Sequence, residues 1–137
     1  MMSCRRLTAL AATLLFVQTA AAGAQGSTIN SVQAGAFLGT WTVEMTSPDA
    51  FKGTQETVRI WEKDGIVAAS VQIGRFPPNE VTGILKDGDL LVLTTTFREN
   101  GQPIWAVIAL KVDGATMALA QMMERSETIK RGTGKKQ

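Results

Sequence analysis

Residues 90–123, LLVLTTTFRENGQPIWAVIALKVDGATMALAQMM, decide the fold of this chain. Two Asx-Gly pairs, Asn100-Gly101 and Asp113-Gly114, interrupt apolar runs, and an Asx-Gly pair between such runs is the strongest short-range hairpin signal, because a type I′ turn needs φ > 0 at both central residues. Counting back from two-residue loops places Phe97 opposite Ile104, Thr95 opposite Ala106, Leu93 opposite Ile108 and Leu91 opposite Leu110. Across the second turn, Ile104, Ala106, Ile108 and Leu110 are expected to meet Met123, Gln121, Leu119 and Met117. The apolar sets of three strands fall on one face, and a one-residue slip would have put them on opposite faces. The other face carries Thr94, Thr96, Arg98, Lys111, Ala118 and Ala120, with Trp105 and Val107 as apolar exceptions.

The same pattern extends toward the N-terminus. Thr40–Thr46 alternates Trp41, Val43 and Met45 against Thr40, Thr42, Glu44 and Thr46, which is the period of a half-buried strand. Thr54–Lys63 and Ile66–Ile73 meet at Asp64-Gly65, pairing Ile60 with Ala69, Val58 with Val71 and Glu56 with Ile73. Ser47–Gly53 reads as a loop with room for one helical turn, and the two prolines of Gly74–Asn79 (GRFPPN) exclude it from a ladder. Glu80–Lys86 turns through Asp87-Gly88. A three-residue loop there pairs Leu85 with Leu91, Gly83 with Leu93 and Val81 with Thr95, and is preferred because it buries Val81 and Leu85. Ser126–Arg131 is expected as the last strand with Ile129 inward, followed by a disordered basic tail, residues 133–137. Eight short strands with tight connections leave two long unpaired edges unless the first and last meet. The expected fold is therefore all-β, an eight-stranded antiparallel up-and-down barrel over residues 37–132, with a sandwich of two four-stranded sheets as the alternative.

Composition narrows the function. Arg5 and Arg6, the apolar stretch Leu7–Val17 and the A-x-A site Ala22-Gly23-Ala24 make residues 1–24 a secretory signal peptide, and the apolar stretch is too short to span a bilayer. A flexible segment, residues 25–36, is expected to follow. The chain has 14 Lys+Arg against 12 Asp+Glu; without Arg5 and Arg6 the balance is 12 against 12, net zero, which gives no support for nucleic-acid or anionic-membrane binding. Cys4, the single cysteine, leaves with the leader, so no disulfide is expected although a periplasmic or extracellular compartment would permit one.

Gly39-Thr40-Trp41 at the head of the first strand, followed by an antiparallel meander, resembles the lipocalin and calycin superfamily, more particularly the short lipocalin-like proteins of bacterial envelopes. The resemblance runs from Phe37 to Arg131. It implies that Trp41 closes one end of the barrel and that a basic residue of the last strand, Arg131 or else Arg125, packs over its ring. The chain departs from that family in being shorter, in having no Thr-Asp-Tyr motif and in having no C-terminal helix. The avidin group also opens on a Gly-x-Trp strand, but its tyrosine and polar biotin-contacting positions have no counterparts here.

Catalysis is not expected. The chain has no histidine and no tyrosine, and without Cys4 its candidate bases and nucleophiles reduce to carboxylates, lysines and hydroxyls. The aspartates sit in turns, and Glu56 and Glu62 lie six residues apart on one strand face, roughly 20 Å by strand rise, and read as solvated strand ends. No metal site, metal ligand set or cofactor is expected. Inside the barrel, Thr95, Ala106 and Gln121 are expected to form one polar row among Leu93, Phe97, Ile104, Ile108 and Met123. A buried amide left unpaired costs about 1–3 kcal/mol, so Gln121 needs a partner: a ligand's polar group, Thr95 or a buried water. The expected function is a periplasmic or secreted carrier of a small, mainly apolar molecule, with Phe97, Ile104, Ile108 and Met123 packing on it and Gln121 and Thr95 orienting it. The alternative is a structural or interaction module with a filled core, acting through its outer wall or the GRFPPN loop. Outward Trp61 and Trp105, were they to share a patch, would form a homodimer surface.

Overall fold

The computed structural model describes residues 29–46 and 54–137. The expected leader and the Ser47–Gly53 loop lie outside the described residues. Eight antiparallel strands, β1 (Gly39–Met45), β2 (Gln55–Lys63), β3 (Ile66–Ile73), β4 (Asn79–Asp87), β5 (Leu90–Glu99), β6 (Gln102–Asp113), β7 (Thr116–Met123) and β8 (Lys130–Lys136), pair in chain order, and β8 returns to β1 to close a barrel. Closure removes both sheet edges, as the strand count demanded. The β2–β3 and β5–β6 registers are the expected ones throughout, fixed by type I′ turns in which Asp64 and Gly65 (φ 52° and 79°) and Asn100 and Gly101 (51° and 77°) all take positive φ.

The other two Asx-Gly turns differ from the expected ones. Of Asp113, Gly114 and Ala115 only Gly114 has positive φ (59°), so the loop is Gly114-Ala115 in the type II′ pattern, and Asp113 pairs with Thr116. Moving a turn by one residue slides the ladder by two: Ala106 now faces Met123, Ile108 faces Gln121 and Leu110 faces Leu119. A slide of two keeps every side chain on its face, so the core is the expected one while the expected row of Thr95, Ala106 and Gln121 is broken. At the β4–β5 turn Gly88 (φ 55°) leads a Gly88-Asp89 loop, which puts Ile84 opposite Leu93; a bulge between Val81 and Gly83 then restores Val81 opposite Thr95. Ile84 is thereby buried and Leu85, expected inside, points out at 59 % exposure.

The last strand is displaced further. Ser126–Ile129 lies outside the ladder, Ile129 is exposed, and the segment 133–137 expected as a disordered tail supplies most of β8. Steric room explains the choice. β8 must fit between β7 and β1, with inward positions opposite Val43 and Met45. Those positions are Gly134 and Gly132. A Cβ on Gly132 would lie 2.7 Å from Val43 Cγ1 and 2.9 Å from the Glu44 carbonyl oxygen, and one on Gly134 would lie 2.8 Å from Val43 Cγ2. Only the Gly-Thr-Gly run admits the two strands to one another.

One end of the barrel is capped. The helix α1 (Ser31–Ala34) starts at Asn30, whose side chain accepts from the Gln33 N–H while the Gln33 side chain accepts from the Asn30 N–H, both at 3.0 Å, and a 3-10 turn (Gly35–Phe37) follows. Residues 29–36 of the segment expected to be flexible thus form a plug: Ile29, Ala34 and Phe37 are buried in the same cluster as Trp41, and Trp41 Nε1 donates to the Phe37 carbonyl at 2.9 Å. The cation over the Trp41 ring is Lys136, 5.6 Å from the centroid. Arg131, the expected partner, adjoins Gly132, which faces Met45 four residues along β1, whereas Lys136 faces Trp41 itself. Gly39 belongs to this arrangement: its φ is 130°, and a Cβ there would lie 2.7 Å from Lys136 Cε, in the space the lysine stem occupies on its way to the indole.

Candidate functional site

The expected ligand-contacting residues occupy the interior, most of them buried. Leu93, Thr95, Ala106 and Ile108 have no exposure, and Phe97 and Gln121 are also buried. Ile104 and Met123, toward the uncapped end, are half-buried. The polar pair expected to orient a ligand is engaged within the chain. Thr95 Oγ1 donates to the Glu80 carbonyl at 3.0 Å. Gln121, with its amide nitrogen turned across the lumen, donates to both carboxyl oxygens of Glu56, at 3.1 and 3.2 Å. The partner required for Gln121 is therefore neither Thr95 nor a ligand but a glutamate.

Glu56 corrects the expectation of a solvated strand end. It faces Val43 on β1 and Ile73 on β3, is 3 % exposed, and points inward with Val58 and Ile60. Burial pushes its carboxyl from 4.5 up to about 7, and the positive charge of Lys130 on β8 pulls the other way. Lys130 Nζ also donates to Met123 Sδ at 3.7 Å. The signal was legible: Glu56 had the inward parity of its strand, and only its terminal position placed it in water. Among the described residues no group of three or more His, Cys, Asp or Glu side chains is arranged to hold a metal ion.

One opening among the described residues lies in the wall. The β3–β4 ladder consists of two pairs, Ser70 with Glu80 and Val71 with Asn79, after which the strands part. The bulge of β4 sits at the point of parting, where it bends the strand away from its neighbour. The resulting opening, of about 350 Å³, has barrel-interior side chains as its floor (Val67, Ala69, Val81, Ile84) and Trp61, Ala68 and Thr82 among its walls. Lys63, Asp64 and Glu80 stand at its rim, and the Arg59 guanidinium lies 5.6 Å from the Trp61 ring centroid. This volume falls in the range of small-molecule sites. None of the interior residues expected to contact a ligand lines it. The sequence carried one signal for it, the small residues Ala68 and Ala69 in the middle of β3.

The two outward tryptophans do not share a surface. Trp61 is on β2 and Trp105, 51 % exposed, is on β6, four strands away in either direction around the ring, so the expected common patch is not formed. Among the described residues no helix is long and apolar enough to cross a membrane. Comparison with family models, with curated proteins and with solved structures finds nothing that matches this chain.

Proposed function

We propose that this protein is a non-enzymatic carrier that reversibly binds a small, mainly apolar molecule, and that the molecule occupies the opening between β3 and β4. One observation carries the reading: the closed ladder is interrupted at a single seam among the described residues, and the interruption is a recess of about 350 Å³ with a charged rim and an apolar floor of Val67, Ala69, Val81 and Ile84. The leader-like residues 1–24 support delivery to the periplasm or the medium, and the Gly39-x-Trp41 meander supports kinship in design with short bacterial lipocalin-like proteins. The ligand contacts move accordingly from Phe97, Ile108 and Gln121 to the recess.

Native mass spectrometry of the protein purified from its own host tests the proposal, with a co-purified apolar molecule as the expected result. In parallel, N-phenyl-1-naphthylamine should brighten on binding, and Ala69→Phe, which fills the recess, should weaken that binding at least tenfold. Ala118→Phe, on the exposed outer face of β7, should leave it unchanged. Equal binding by both variants would remove the recess from the reading. Absence of any bound molecule or probe response would favour the interaction module, for which the specific support is the full burial of Leu91, Leu93, Ile108 and Leu110 together with the exposure of Phe76 in the GRFPPN loop.

A further inference from the structure

We infer that Glu56 is the sensor of a proton-operated latch at the end of the barrel away from α1: with its carboxyl protonated that end is shut, and when the proton leaves to solvent the first residues of β8 part from β7 and β1 and water reaches the lumen. This stands apart from the β3–β4 recess and from what the recess holds. The observation that carries it is the place where three groups meet. Glu56 on β2 is 3 % exposed, Gln121 of β7 donates to both its oxygens across the lumen at 3.1 and 3.2 Å, and Gln121 is itself paired with Lys130 on β8. The Gln121–Lys130 pair is the last of the β7–β8 ladder, and Ser126–Ile129 beyond it lies outside the ladder. The buried carboxyl is thus held from the end of a seam, and the ends of elements open locally at the least cost.

Glu56 has Val43 of β1 and Ile73 of β3 as ladder neighbours, Gln121 of β7 across the lumen and Lys130 of β8 acting on it by charge. Glu44 and Arg131, the charged residues next along β1 and β8, have outward parity and are exposed. Lys130 is therefore the charge that these four strands bring to Glu56. It is half-buried, and its Nζ donates to Met123 Sδ, a weak acceptor, at 3.7 Å. Burial outweighs its attraction and pushes the Glu56 carboxyl up to about 7. An ionised Glu56 regains water either by unfolding of the whole barrel or by opening of the end beside it, and the second uncovers less apolar surface. With Glu56 at its ordinary 4.5 in the opened end and about 7 in the shut one, the opened fraction rises by up to about tenfold per pH unit between these values and is level above them.

Met45 reports the opening. It is 3 % exposed and pairs with Gly132, two residues along β8 from Lys130, and a Cβ on Gly132 would lie 2.8 Å from its Sδ. The sulfur therefore rests on β8 and loses its cover when β8 lifts. Met117, 1 % exposed, belongs to the other end: it lies two residues past Ala115, whose carbonyl accepts from the N–H of Lys136, the residue over Trp41.

The test treats the full chain and its Glu56→Gln variant with hydrogen peroxide between about pH 5 and pH 8, where attack of peroxide on a thioether does not itself depend on pH, and follows sulfoxide formation at Met45 and Met117 by peptide mass spectrometry. In the wild type, Met45 oxidation should rise at least tenfold over that range, flatten above about pH 7, and at pH 8 run at least tenfold faster than that of Met117. In Glu56→Gln the Met45 rate should not change with pH. A wild-type Met45 rate that is flat with pH overturns the latch. Equal rates at Met45 and Met117 at pH 8 overturn it too, since the barrel then opens as a whole, and a rise that persists in Glu56→Gln places the sensor elsewhere and overturns it as well.

Discussion

Replacing the buried glutamate should make the protein more stable at neutral pH and change nothing in acid. Glu56 sits inside the barrel with Gln121 donating to both its oxygens, and its carboxyl is held up to about 7 against 4.5 in the unfolded chain, by burial that Lys130 offsets only in part. Because the folded state keeps its proton longer than the unfolded state, folding binds protons between these two values, and stability falls as pH rises through that window. The contribution is fully present below about 4.5 and gone above about 7. At about 1.4 kcal/mol per unit, the loss across the window is about 3 kcal/mol. Glu56→Gln keeps the side chain's size, leaves an amide oxygen to accept from Gln121 and carries no charge to desolvate. Urea unfolding followed by tryptophan fluorescence should therefore give equal stabilities near pH 4.5 and a variant more stable by up to about 3 kcal/mol at pH 8, a midpoint shift of about 1–3 M for ordinary denaturant slopes. Lys130, which is half-exposed and loses a nearby negative charge in the variant, sets how far below that ceiling the gain falls. A difference between variant and wild type that does not grow between pH 4.5 and 8, or a wild type that gains stability over that range, would refute a protonated, buried carboxyl.

Other substitutions test the closure of the barrel. Gly132→Ala places a methyl group against Val43, Met45 and the Glu44 carbonyl oxygen, and should cost about 1–3 kcal/mol or more as the β1–β8 seam yields, while Thr133→Ala, whose side chain faces outward, should cost little; thermal unfolding by circular dichroism compares them. Lys136→Ala should lower stability by about 0.5–1 kcal/mol and alter the emission of Trp41, whereas Arg131→Ala should leave that emission as it is; the opposite order would restore Arg131 to the indole. Gly114→Ala forces a side chain into φ 59° at the β6–β7 turn and should destabilise by about 1 kcal/mol or more, with strand pairing followed by amide exchange across Leu110 and Leu119.

What the sequence determined was parity. Alternation of side chains is local and has a period of two, so the inward set, Val43, Val58, Ile60, Leu91, Leu93, Ile108, Leu110 and Leu119, could be read without knowing which strand met which. The Asp64-Gly65 and Asn100-Gly101 turns fixed two complete registers because both residues of each pair can take positive φ. The eight-strand count then favoured closure over a two-sheet sandwich, because closure leaves no unpaired edge.

What the tertiary structure decided was everything that depends on a neighbour distant in the chain. Gly114 and Gly88 can each serve two turn types, and only packing against the next strand selects the one that slides β6–β7 by two residues and turns Leu85 out of the core. The Gly-Thr-Gly run has no apolar alternation and reads as a frayed end, yet it is the one stretch slim enough to pass Val43 and Met45, and its position carries Lys136 rather than Arg131 to Trp41. Glu56 was legible as inward by parity, but its burial needed Gln121 from the far wall. The recess exists because a bulge in β4 bends one strand from another; a bulge adds a residue to one strand relative to its partner, and a single strand's sequence holds no record of its partner's count.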